Sequence, residues 1–160
     1  MNILDFAVQK EKYSEEYYRK LAEQTGSKGM QNIFTMLADE EVKHYQTVRQ
    51  LKNAVPESIA NTDLLTDAKG VFRDMKGSKD KFDFSDSEIE TYIKAQDIEK
   101  QSRDFYLQKA SELQDNNQKR IFEQLAEEEK KHFFLLDNII EFVSRPETWL
   151  ENAEFNHLEE

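Results

Sequence analysis

Two short stretches, Glu41-Val42-Lys43-His44 and Glu129-Lys130-Lys131-His132, share the pattern Glu-x-x-His and lie 88 residues apart. On a helix, positions i and i+3 share a face, so each stretch aims a carboxylate and an imidazole the same way. Mixed carboxylate and imidazole donors suit iron and manganese, and also zinc. The 88-residue offset extends well upstream. Ile33-Phe34 recurs as Ile121-Phe122 and Leu37-Ala38 as Leu125-Ala126, while Ala7, Glu11, Ser14, Tyr18 and Ala22 recur as Ala95, Glu99, Ser102, Tyr106 and Ala110. From residue 7 to residue 44 there are 14 identities in 38 ungapped positions. The chain is an internal duplication, and each copy carries one lone glutamate followed by one Glu-x-x-His.

The elements that must carry these residues are helices. The 160 residues include only 4 Gly and 2 Pro, and Glu, Lys, Gln, Leu and Ala are abundant, which predicts an all-α protein. A first helix runs from about Ile3 to Thr25, with Gly26 near its C-cap. A second runs from about Ser27 to Ala54 and is stopped by Pro56. A third opens at Ser85, where Ser85 and Glu88 read as a capping box. The fourth begins at Asp115 or Asn116 and ends at Arg145-Pro146, and Pro146 can start a short last helix bearing Trp149, Leu150, Phe155 and Leu158. The chain thus reads as one domain over 1–160: a helix hairpin at 3–54, a crossover at 55–85, a second hairpin at 86–143 and a C-terminal segment at 144–160. A weak helical pattern over Thr62–Met75 suggests a short helix in the crossover. Short joints make antiparallel hairpins and a long crossover makes the middle helices parallel, which is the ferritin-like four-helix bundle.

At 4-3 spacing, Glu11, Glu41, His44, Glu99, Glu129 and His132 all fall on the inward stripes, where Leu or Ile would normally sit. Burying one carboxylate costs several kcal/mol even after relaxation, so four together rival the roughly 5–15 kcal/mol stability of a whole domain. Two divalent cations would balance four carboxylates. The alternative is a metal-free bundle in which these groups pair with one another or take up protons. Tyr18 and Tyr106, seven residues after the lone glutamates, read as core filling, or as donors or redox-active groups beside the metals. The acidic runs Asp39-Glu40 and Glu127-Glu128 read as solvated helix faces, or as groups that orient the histidines, and His157 as a surface residue. Trp149 and Phe155 on so short an element need a cover, either their own bundle or a partner chain.

Composition excludes several classes. A net charge of −11 argues against a nucleic-acid partner. No apolar run approaches the ~18–20 residues of a membrane span and no signal pattern is present, so a soluble cytoplasmic protein is expected. With no cysteine there is no thiolate chemistry and no Cys-ligated iron or zinc.

The phrases Ile33-Phe34…Leu37-Ala38-Asp39-Glu40-Glu41…His44 and Ile121-Phe122…Leu125-Ala126-Glu127-Glu128-Glu129…His132, with Glu11 and Glu99, resemble the rubrerythrin and bacterioferritin branch of the ferritin-like superfamily. The tail Arg145-Pro146-Glu147-Thr148-Trp149-Leu150 to Phe155 is also similar to the ending of small rubrerythrin-like proteins. The resemblance covers nearly the whole chain, with the crossover its weakest part. It implies two iron ions, with manganese or zinc possible on isolation. Glu11 and Glu99 would be terminal ligands, Glu41 and Glu129 bridges, and His44 and His132 one nitrogen for each metal. Two departures stand out. Typical rubrerythrins carry a cysteine-bearing rubredoxin domain, so electrons here would come from an external donor such as rubredoxin or a flavoprotein reductase. They also usually carry a glutamate three residues after the third-helix glutamate, where this chain has Ser102.

The expected function is a non-haem di-iron oxidoreductase reducing hydrogen peroxide or O2. A ferroxidase or iron-storage protein is the alternative, and a di-iron oxygenase is third; Tyr45, Phe133 and Phe134 could line the apolar pocket it needs, or equally serve as inter-helix packing. A homodimer is expected, with the crossover or the tail contributing.

Overall fold

The computed structural model describes residues 2–56, 58–59, 62–78 and 81–151. Its helices are α1 (Ile3–Gln24), α2 (Lys28–Gln50), α3 (Leu64–Gly77), α4 (Asp86–Glu112), α5 (Asn116–Ser144) and α6 (Pro146–Glu151). Among the described residues there is no strand, and no helix is long and apolar enough to cross a membrane.

Each long helix begins at a side-chain cap. Asn2, Ser27, Ser85 and Asp115 accept from backbone N–H groups in the first turns of α1, α2, α4 and α5, satisfying donors that a helix start leaves open. The capping box expected at Ser85 is only half made. The Glu88 N–H donates to Ser85 Oγ at 3.1 Å, but the Glu88 carboxylate accepts from Tyr92 Oη and from Thr25 Oγ1. It ties the start of α4 to the end of α1 instead of reaching back to its own cap. The second helix stops at Gln50, earlier than Ala54, and Leu51–Asn53 form a turn.

α1 packs on α2, α4 on α5, and α1 on α4. Ala7 and Ser14 of α1 and Ala95 and Ser102 of α4 are small and buried. The crossover carries α3, which packs on α2 and α6. Phe72 of α3 lies 4.7 Å, centroid to centroid, from the Trp149 ring, and both rings contact Phe142. Trp149 is fully buried. Its cover is therefore its own bundle, and the argument for a partner chain built on Trp149 falls away. Phe155, His157 and Leu158 lie outside the described residues.

The apolar core is divided in two. One cluster gathers Tyr18, Leu37, Ala95 and Leu136 with the α3–α6 end. The other gathers Ala7, Val48, Tyr106 and Leu125. On every long helix the sequence passes from one cluster to the other through buried polar residues: Glu11 and Ser14 on α1, Glu41 and His44 on α2, Glu99 and Ser102 on α4, Glu129 and His132 on α5. A polar layer thus crosses the middle of the bundle between two dry plugs.

Candidate metal centre

All six residues picked out by pattern meet in that layer. Glu11, Glu41, Glu99, Glu129 and His132 are at most 1% exposed and His44 is 4% exposed. Their donor atoms fall into two overlapping groups: Glu11, Glu41, His44 and Glu129, and Glu41, Glu99, Glu129 and His132. Within each group one ligand atom per residue lies within 4.8 Å of every other. Glu41 and Glu129 belong to both groups. The lone glutamates and the histidines belong to one each.

Each imidazole reaches across to the other copy's carboxylate. His44 Nδ1 lies 2.8 Å from Glu129 Oε1, and His132 Nδ1 lies 2.9 Å from Glu41 Oε1. Within its own motif, His44 Nδ1 is 4.0 Å from Glu41 Oε2. The lone glutamates approach from the other side, with Glu11 Oε2 and Glu99 Oε1 each 3.4 Å from the Nδ1 of His44 and His132 respectively. The two rings stack nearly parallel, 5.4 Å apart at 8°.

Electrostatics divides the carboxylates into two kinds. Burial, with Glu11, Glu99 and each other as negative neighbours, pushes Glu41 and Glu129 well above the usual carboxylate range. Burial also acts to raise Glu11, but hydrogen bonds with Glu41, His44 and Tyr106 and the field of His44 outweigh it and bring Glu11 to about 2. Glu99 is likewise lowered against the pull of burial, by the charge of His132 and by hydrogen bonds with Glu129, His132 and Tyr18. Burial acts to lower His132, but Glu99, chiefly, raises it overall. Without a cation, then, the layer favours protons on Glu41 and Glu129 and charge on Glu11 and Glu99.

Protons are an incomplete answer. Oε2 of Glu11, Glu41, Glu99 and Glu129 is buried and makes no well-formed hydrogen bond with a neighbouring N–H or hydroxyl, His44 Nδ1 standing 3.4 Å from Glu11 Oε2. Buried carboxylate oxygens without donors are costly, and here they sit beside imidazole nitrogens in two groups sharing two members. A donor set of oxygens and nitrogens, with no sulfur, fits two first-row divalent cations.

The tyrosines also cross between copies. Tyr18 Oη donates to Glu99 Oε1, and Tyr106 Oη donates to Glu11 Oε1 at 2.6 Å. Burial, with the carboxylates around them, pushes both phenols well above their usual range, so both stay neutral donors at ordinary pH. They hold the lone glutamates in place. Tyr18→Phe and Tyr106→Phe should each destabilise the metal-free chain by about 1.5–3 kcal/mol, the worth of a hydrogen bond to a charged group. Thermal unfolding in chelator checks this, and a shift indistinguishable from zero would show that the hydroxyls do not secure the glutamates.

Two expectations about neighbouring residues need correction. Asp39 and Glu127 are solvated, but Glu40 and Glu128 are buried, at 7% and 5% exposure. The signal lay in the offset: glutamate recurs at 40 and 128, whereas 39 and 127 differ. Tyr45, Phe133 and Phe134 do not form one lining. Phe134 packs against the core, Phe133 is exposed, and Tyr45 lies under Lys12 and Arg49.

Comparison with known families gives a match to the Rubrerythrin model over residues 2–140. No curated protein and no solved structure matches the chain.

Proposed function

The chain belongs to the rubrerythrin family, and from that premise we propose that it is a di-iron oxidoreductase that reduces hydrogen peroxide with electrons from a separate redox protein. The observation that carries the reading is the pair of four-residue groups sharing Glu41 and Glu129. In this reading Glu11 and His44 would hold one metal and Glu99 and His132 the other, with Glu41 and Glu129 available to both. When bound, an iron pair would supply Lewis acidity and one electron from each ion, matching the two electrons that, with two protons from solvent, convert peroxide to two waters.

The rest is the work of the chain. The two apolar clusters exclude bulk water from either end of the layer, which strengthens every charge interaction inside it. Tyr18 and Tyr106 fix Glu99 and Glu11 by their hydroxyls. Glu41 and Glu129, raised by burial, would have to be ionised to hold a cation. In this reading the electrons come from a donor other than these 160 residues, which hold no cysteine, such as rubredoxin or a flavoprotein reductase.

The test is stopped-flow oxidation of protein loaded with two ferrous ions, by peroxide and by oxygen, followed by turnover with a donor. Peroxide should react at least about tenfold faster than oxygen, a gap of about 1.4 kcal/mol in barrier, and turnover should require the donor. Oxygen reacting as fast as peroxide, with ferrous iron consumed far beyond two per chain, would replace this reading with ferroxidase storage.

A further inference from the structure

The duplication makes the polar layer nearly symmetric, but the surface over it is not. On the α2–α5 face a pocket of about 270 Å³ is walled by Glu40, Glu128, Thr47 and the crossover residues Ile59 and Thr62, and His44 lines it. His132, the counterpart of His44, does not. His44 spans the distance between pocket and centre, since its Nδ1 lies 2.8 Å from Glu129 Oε1. Whatever enters this pocket is one side chain away from the centre, on the side of Glu11 and His44.

Two of the carboxylates that line it, Glu40 and Glu128, lie outside the ligand groups described above. Glu128 is more than nine-tenths buried, and its Oε2 has no hydrogen-bond partner. Its Oε1 meets Lys131 Nζ at 3.4 Å, and Glu40 Oε1 meets Lys43 Nζ at 3.3 Å. Lys43 is mostly exposed and Lys131 about one-third exposed. Ion pairs of exposed lysines are weak, so a dication can displace the ammonium groups, which swing into water on flexible stems. The buried carboxylates of Glu40 and Glu128, the latter with a free oxygen, their lysine counter-ions and the His44 imidazole in the same lining form a relay for a divalent cation.

We propose that this pocket is the cation entry port of the centre, with Glu40 and Glu128 as transit ligands that pass a divalent metal to His44. The proposal rests on the two-metal reading above. It makes loading ordered: the position of Glu11 and His44 fills first and exchanges first, and the position of Glu99 and His132 fills through it.

The probe is Co2+ alone, followed by its visible absorption in stopped flow, with metal per chain counted at the end. Glu40→Gln with Glu128→Gln should slow uptake about tenfold or more, in keeping with the scale of electrostatic effects on association, while the final load stays at two per chain. Lys43→Ala with Lys131→Ala should speed uptake. Glu127→Gln, the same loss of charge on the exposed neighbour, should leave it unchanged. An unaltered uptake rate in the Gln pair overturns the port, and so does a loss of affinity that appears only in the release rate, since that is the mark of residues orienting the histidines. Wild-type protein that binds no Co2+ pair would instead overturn the two-metal reading itself.

Discussion

Replacing the whole polar layer by leucine, at Glu11, Glu41, His44, Glu99, Glu129 and His132, should give a chain that binds no metal pair and yet melts above the metal-free wild type. The six side chains are almost completely buried, and four carboxylate oxygens and His132 Nε2 lack hydrogen-bond partners. Substituting well-packed apolar residues for a buried charged pair or triad is commonly worth about 1–4 kcal/mol, and this layer contains two such clusters. For a chain of this size each kcal/mol moves the midpoint by about 2–4 °C, so a rise of at least about 5 °C is expected in scanning calorimetry with chelator. Metal reverses the order, because ligands bound only to the folded state stabilise it by mass action. Loaded wild type should therefore gain stability over its own metal-free form, and the leucine variant should gain none. Single substitutions separate the roles. Glu41→Ala or Glu129→Ala removes a member of both groups and should lose most of both ions. If the leucine variant melts below metal-free wild type, the carboxyls and imidazoles satisfy one another and the layer is a structural network; two tightly held ions in both alanine variants would equally refute the ligand assignment.

Periodicity located the layer before any coordinate did, because leucine positions occupied by glutamate and histidine at an 88-residue repeat leave few other readings. What pattern could not supply was partnership. Residues i and i+3 share a face, which suggests Glu41 beside His44, but the short contact of His44 is to Glu129 on α5. A motif sets direction; the packing of one helix against another sets contact. The same limit applies to Glu40 and Glu128. Each sits one residue from an inward position, and only the facing helix decides whether that flank is dry. Trp149 shows the limit for the fold. Its cover, Phe72, lies on the weakly patterned crossover helix, so no local signal could tell intramolecular burial from a partner chain. The half-made capping box has a similar cause: Glu88 has two better offers, from Tyr92 and Thr25, and one of them comes from a different helix.

Raising the pH from 5 to 8 should weaken the metal-free fold and tighten metal binding at the same time. Glu41 and Glu129 are held above the ordinary value of 4.5, and His132 above 6.5. A group raised in the folded state contributes its stability below the unfolded value and loses it as pH climbs through the folded value. At pH 5 the unfolded chain has already shed most of the two glutamate protons, and it sheds the imidazolium proton around 6.5, while the folded metal-free chain holds these protons to higher pH, so the balance shifts toward unfolding. Glu11 and Glu99 act the other way, being lowered. Their contribution is complete above 4.5 and is lost only as pH falls toward the acid end, outside the window. Metals need the deprotonated ligands, so loading expels the protons on Glu41 and Glu129, and that on His132 where it is still held. Two to three protons released per chain make the overall affinity for the metal pair rise about hundredfold or more per pH unit while those groups remain protonated in the metal-free form. Titration calorimetry with Co2+ in buffers of different ionisation heat counts the protons directly. Thermal scans of loaded and metal-free protein should show the gap between their midpoints widening from pH 5 to pH 8. A release below one proton per chain, or a gap that narrows, would mean that Glu41 and Glu129 are already ionised without metal, and that something other than protons balances the layer.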